Sequence, residues 1–201
     1  MATKTIYLTF VLYLLIYIEF QFFFMAKRNY VSNSSESPRM FKSDFLESLS
    51  KIHYIVPVIF WIPVIIYFVR KAYLIGEMSG LTILFYFSFG LAFWTLAEYV
   101  LHRWVFHFHP NSAIGKRIHF IFHGVHHDYP KDRLRLVMPL SASIPMATVI
   151  YFIFYPFFGE FTLACFFGGF LFGYLIYDEC HYAMHHANFK SGWFKKIKDH
   201  H

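Results

Sequence analysis

Charge is what this sequence has least of. Asp, Glu, Lys and Arg make up 15% of its 201 residues, against roughly a quarter in a soluble domain. Apolar residues supply 57%, and Phe alone 28 positions. A chain so short of charge stays dispersed only if most of it faces lipid. That excludes an ordinary soluble domain, a disordered segment, a coiled coil and a nucleic-acid module. Cysteine is scarce too: Cys165 and Cys180 are the two, too few for a disulfide framework. Several catalytic signatures are missing. There is no H-E-x-x-H, so a zinc metalloprotease lacks its base. There is no G-x-S-x-G, no phosphate-binding glycine loop and no internal repeat.

What is present is a set of long apolar runs. A membrane helix needs about 20 of them in a row, and five stretches approach that: Thr5–Ala26, Ile52–Val69, Leu81–Val100, Val137–Phe158 and Phe161–Tyr177. The first is too long for a signal-peptide core and lacks a small-residue cleavage site. It reads as an anchor over residues 1–26, spanning or, because of Glu19, interfacial. A polar linker, residues 27–50, follows, with a short helix expected from Ser43 to Leu49 and Ser43 as its N-cap. Residues 51–201 form the main domain. Pro57 and Pro63 should bend its first span, and Gly159-Glu160 leaves only a tight hairpin between its last two.

The net charge of +6 is a topology signal. With the linker cytoplasmic, 15 of the 18 basic residues fall on that side and only Lys4, Arg70 and Lys71 opposite, as the positive-inside rule asks. Tyr and Trp near span ends, among them Trp104, Tyr174, Tyr177 and Trp193, are expected as interface anchors. The expectation is a multi-pass membrane protein.

Twelve of the 13 histidines lie between His102 and His201, all on the cytoplasmic side of that topology. His123, His126 and His127 are at i, i+3 and i+4, and His181 and His185 at i, i+4, so each set shares a helix face. His119 precedes His123 by four. His102 and His107 are five apart, about 140° around an α-helix, and meet one site only if the helix ends or loosens there. Neutral imidazole is the commonest protein metal ligand. Eight or more exceed the needs of one ion and point to two. Glu98, four before His102, and Asp178, three before His181, stand where a carboxylate can accept a ligand's free ring N–H. His119, His186 and His200 are better placed as such supporting groups than as ligands. The centres of the second to fifth stretches lack the ionisable residues a transporter would carry. Asp132 is as readily a partner of Arg133 or Arg135 as a functional acid.

The runs Glu98-Tyr-x-Leu-His102-Arg-x-x-Phe-His107, His119-Phe-x-x-His123-Gly-x-His126-His127, Pro130-x-Asp132-x-x-Arg135 and Tyr177-Asp178-x-x-His181-Tyr-x-x-His185 resemble the fatty acid 2-hydroxylases of the fatty acid hydroxylase/sterol desaturase superfamily. The resemblance runs from about Asp44 to His201. It implies an all-α integral membrane protein of four to five transmembrane helices, with a cytosolic helical cap holding a His-rich dimetal centre. The implied ligands are His102, His107, His123, His126, His127, His181, His185 and His201. The implied cofactors are two metal ions, iron for activity with zinc as a possible occupant. The implied reaction is O2-dependent hydroxylation of a long fatty acyl chain, free or in a sphingolipid, at carbon 2.

Two departures shape the expectations. The family's last motif is H-x-x-H-H, and only its first histidine, His201, is matched, so one metal is expected to bind weakly. A haem-binding domain precedes the family's eukaryotic core, so electrons are expected from a separate small haem or iron-sulfur carrier. A sterol or carotenoid oxidase is the alternative within the enzymes; a non-catalytic metal-binding membrane protein or transporter is the alternative outside them.

Overall fold

The computed structural model describes residues 32, 34–106, 110–187 and 192, with the side chains of residues 105, 106, 122 and 123 outside the description. The chain divides into two compact units, and Ser32–Ala187 is the one described. The expected anchor over 1–26 lies outside it. Among the described residues every regular element is helical.

Four helices are long and apolar enough to cross a membrane. After the short α1 (Asp44–Leu49) come α2 (Ile55–Leu74) and α3 (Gly80–Val100). The cap helices α4 (Ala113–His119) and α5 (Val125–Asp128) follow, then α6 (Leu140–Phe154) and α7 (Glu160–His186). The four predicted spans that fall among the described residues are found, with shifted ends. α7 runs nine residues beyond the expected end at Tyr177, because a helix pointing out of the apolar layer keeps its hydrogen bonds in protein. Ser43 occupies the N-cap of α1, but its side chain caps nothing. Ser79 does cap α3, accepting from the Thr82 N–H at 3.2 Å. α2 continues through Pro63, and Pro57 sits in its first turn, where a missing N–H costs nothing.

The four long helices alternate in direction. Lys71 near the end of α2 pairs with Glu160 at the start of α7 at 2.7 Å. At the opposite end Tyr54 stacks on Tyr182, ring centroids 4.6 Å apart. All the long polar connections therefore share one end.

α7 is the central element. Some 67% of its span is buried, against 11–22% for the other three, whose outer faces carry exposed Ile59, Leu84, Phe85 and Phe152 as a lipid-facing surface requires. Phe166, Phe167, Phe170, Leu171 and Tyr174 of α7 form the core with Trp61 and Trp94. α3 and α7 touch backbone to backbone. A Cβ on Gly90 would overlap the Phe166 carbonyl oxygen, and one on Gly169 the Phe87 carbonyl oxygen. Tyr174, expected as an interface anchor, is 5% exposed and packs edge-on to Trp94. Its side chain lies on the inner stripe of α7, and that stripe, not its depth, decides its burial. Tyr177 likewise faces α3, against Trp94. Trp104 is 63% exposed, as an anchor should be, and Trp193 lies outside the described residues.

Candidate metal centre

On α7 the side chains of Phe170, Tyr174, His181 and His185 follow at spacings of four, seven and four, which is one face of an α-helix. The stripe that fills the core lower down thus becomes imidazole where the helix leaves the apolar layer. His181 is buried, its ring 5.0 Å from that of His185. His126 of α5, also buried, places its ring 5.1 Å from His181 and edge-on to it. His127 lies 4.4 Å from His126. Four imidazoles from two elements far apart in sequence therefore form one string.

His102 comes to the same end of the bundle by another route. Past Val100 the backbone of α3 widens into a π-helical turn, Leu101–Phe106. A π-turn bonds residue i to i+5 and so rotates residues five apart toward one face, the loosening that a shared site for His102 and His107 demands. A second π-turn, Phe120–Gly124, carries residue 123. Nδ1 of His102 lies 3.5 Å from the Tyr177 hydroxyl and 3.6 Å from Glu98 Oε1. The Glu98 separation is an ion-pair distance and longer than a hydrogen bond. His107, His200 and His201 lie outside the described residues, and the side chain of His123 is not described. Among the described residues no group of three His, Cys, Asp or Glu side chains is arranged to hold a metal. The donor chemistry fits a borderline metal nonetheless: adjacent imidazoles, His126 and His181 among them buried, with five of the eight expected ligands among the described side chains.

Asp178 is almost fully buried. Its two oxygens accept the Met138 backbone N–H at 3.2 and 3.1 Å, and Oδ2 also accepts from the Tyr174 hydroxyl at 3.3 Å. The carboxylate thus ties the segment before α6 to the histidine helix. His119 ends α4, and His186 ends α7 with its ring 4.7 Å from Tyr182.

A buried polar network supports this end of the molecule, and reading the sequence alone missed it. Arg135 Nη2 meets Glu47 Oε1 at 2.5 Å. Lys51 also reaches Oε1, at 2.9 Å. The N–H groups of Met40 and Phe41 donate to Oε2 at 3.0 and 3.1 Å. Arg135 Nε donates to Ser37 Oγ at 2.9 Å, and Ser37 donates to Asp132 Oδ2 at 2.6 Å. Asp132 is paired with Arg135 at 3.6 Å and is 2% exposed, so of its expected partners Arg135 is the one it takes. Burial raises the cost of charge on Glu47, but the Lys51 hydrogen bond, the two backbone N–H groups and the Arg135 charge outweigh it. Its carboxyl is held down at about 2, from an ordinary 4.5. The one available signal was the Asp132-x-x-Arg135 spacing, which places an acid and a base within reach of each other.

The profile of the fatty acid hydroxylase family matches residues 87–201. A dihydroceramide fatty acyl 2-hydroxylase of Arabidopsis thaliana is 38% identical over 83% of this chain and 70% of its own length. A ceramide very long chain fatty acid hydroxylase of Saccharomyces cerevisiae is 37% identical over 79% of this chain and 41% of its own. The fatty acid 2-hydroxylase of Mus musculus is 36% identical over 81% and 49%. The chain thus spans less than half of the yeast and mouse relatives. The solved structure of full-length Scs7p, in which only the hydroxylase domain is visible, superposes with a TM-score of 0.71 at 37% identity. It covers 77% of this chain and 59% of that one.

Proposed function

This chain belongs to the fatty acid hydroxylase family, an oxidoreductase family, and we propose that it hydroxylates a long fatty acyl chain at carbon 2, the chain being held in a sphingolipid or free. The observation that carries the reading is the string of His127, His126, His181 and His185 at the end of four membrane-length helices. It is supported by relatives whose names are acyl 2-hydroxylases.

His102, His107, His123, His126, His127, His181, His185 and His201 would hold two metal ions. When bound, a redox metal such as iron supplies the reduction of O2 that generates an oxidant able to take hydrogen from an unactivated carbon; zinc would bind without that chemistry. The chain's own residues do the rest. Trp94, Phe170 and Tyr174 close the floor beneath the imidazoles and keep water from rising through the bundle. Asp178, fixed by Met138 and Tyr174, sets the angle at which α7 presents His181. Tyr177 and Glu98 flank His102 and hold its ring. Electrons come from a separate small carrier, and the site faces the cytoplasm.

The test joins two measurements. Elemental analysis of the purified chain should find transition metal, reduced in His126→Ala and His181→Ala. Mass spectrometry of lipids from expressing cells should find 2-hydroxy acyl chains that both variants lack. No bound transition metal, or hydroxyl groups at other carbons only, would overturn the reading.

A further inference from the structure

The stretch of chain that follows α3 contains no carboxylate. Between Glu98 and Asp128 the sequence carries the cations Arg103, Lys116 and Arg117 and not one Asp or Glu. α4 lies in the middle of it. Ser112 starts the helix by accepting the Gly115 N–H at 3.0 Å. A Cβ on Gly115 would overlap the Pro110 side chain, so this side of the helix faces the molecule, and His119, four residues on, shares it. The other five residues of α4 are exposed. Ile114, at 75%, and Ile118, at 51%, form an apolar stripe along one side. Among the described elements α4 packs appreciably only on the π-turn that follows it. Neither Lys116 nor Arg117 forms an ion pair among the described residues.

We infer that α4 lies on the bilayer leaflet at the histidine end, with Ile114 and Ile118 in the acyl boundary and Arg117 on anionic lipid headgroups. The inference stands apart from the 2-hydroxylase reading and holds whatever chemistry the histidines perform. Single exposed isoleucines are ordinary on any surface. Here two share a stripe, Trp104 is exposed in the π-turn leaving α3, and the connection begins and ends on membrane-length helices. A soluble partner rich in carboxylates would answer the cations but not the isoleucines. A leaflet answers both, because an interfacial helix buries its apolar face roughly 5–10 Å deep and keeps its basic residues at headgroup level. The helical wheel assigns the two cations different surroundings. Arg117 is about 60° from Ile114 and about 100° from Ile118, at the flank of the stripe, where a long side chain reaches phosphates. Lys116 is about 160° from both and faces water. α4 runs straight into the π-turn bearing residue 123 and then into α5 with His126 and His127, so the leaflet fixes the start of the stretch that delivers those imidazoles.

The test places an environment-sensitive fluorophore on the full chain in nanodiscs, with Cys165 and Cys180 replaced by Ala. One set of discs is phosphatidylcholine and the other an equal mixture of phosphatidylcholine and phosphatidylglycerol. At Ile114→Cys, and independently at Ile118→Cys, emission should shift to the blue and be quenched by a nitroxide on the lipid chains. At Lys116→Cys it should be quenched only by a nitroxide in water. The ratio of inserted to free label should be higher in the mixed discs. Arg117→Gln should lower that ratio roughly fivefold there, the effect of about 1 kcal/mol per cation near an anionic surface, and should change little in the neutral discs. Lys116→Gln should leave it nearly unmoved in both. Water-like emission at positions 114 and 118 in both discs overturns the inference and leaves the face to a soluble partner. Insertion that ignores phosphatidylglycerol, or that Lys116→Gln weakens as much as Arg117→Gln, overturns the headgroup assignment.

Discussion

Glu47 shows how a single side chain holds the polar end of the molecule together. It neutralises a guanidinium that is 2% exposed and takes the N–H groups of the linker. Removing one partner of such a pair strands the other charge and costs about 3–5 kcal/mol. Glu47→Gln should therefore lower thermal stability by that order, and hydrogen exchange should show residues 37–51 opening first. The pH dependence follows from the lowered carboxyl. A group lying at about 2 when folded and 4.5 otherwise adds stability that is complete above the ordinary value and is lost as pH falls toward 2. Docking of α1 should therefore weaken between about pH 5 and pH 2 in the parent chain and show no such step in Glu47→Gln. Protection factors over 37–51, exchange rates corrected for the intrinsic effect of pH, that stay flat with pH in the parent would contradict the assignment.

Among the elements, what was legible was what repeats. Apolar run length located α2, α3, α6 and α7 to within a few residues at most ends, and i, i+4 spacing put His181 and His185 on one face. What was not legible depends on neighbours. The burial of Tyr174 and Tyr177 follows from which stripe of α7 meets α3, and no single-helix pattern distinguishes that stripe when nearly every position is apolar. The contact that selects it is the glycine pair. Gly90 and Gly169 let α3 and α7 meet with carbonyl oxygens where a methyl would stand. Backbone cannot retreat as a side chain does. Gly90→Ala and Gly169→Ala should each cost roughly 3 kcal/mol, the upper end of overpacking, and reduce the monodisperse yield in detergent. Gly80→Ala, with open space around it, should be neutral or slightly stabilising in the same thermal assay. If all three behave alike, the close approach is not what orders these helices.

At the scale of the whole molecule, sidedness was read from charge, and the fold now makes that reading testable with few sites. α2 and α6 leave the histidine end, α3 and α7 return to it, and the Lys71–Glu160 pair marks the far end. The loop bearing Lys131 and the turn bearing Gly80 must then lie on opposite faces of the bilayer, whatever the tilt of each helix. The excess of basic residues sits at the histidine end, and a positive side is retained in the cytoplasm. Both positions suit a probe, since Lys131 is exposed and nothing crowds Gly80. In a background with Cys165 and Cys180 replaced by Ala, Gly80→Cys should react with an impermeant maleimide from outside intact cells. Lys131→Cys should react only after permeabilisation. Reversed labelling would place the histidine string outside the cytoplasm and remove any cytosolic electron carrier from its reach. Labelling of both from one side would break the four-span alternation itself. Because the two failures give different patterns, one pair of cysteines separates an error in orientation from an error in fold.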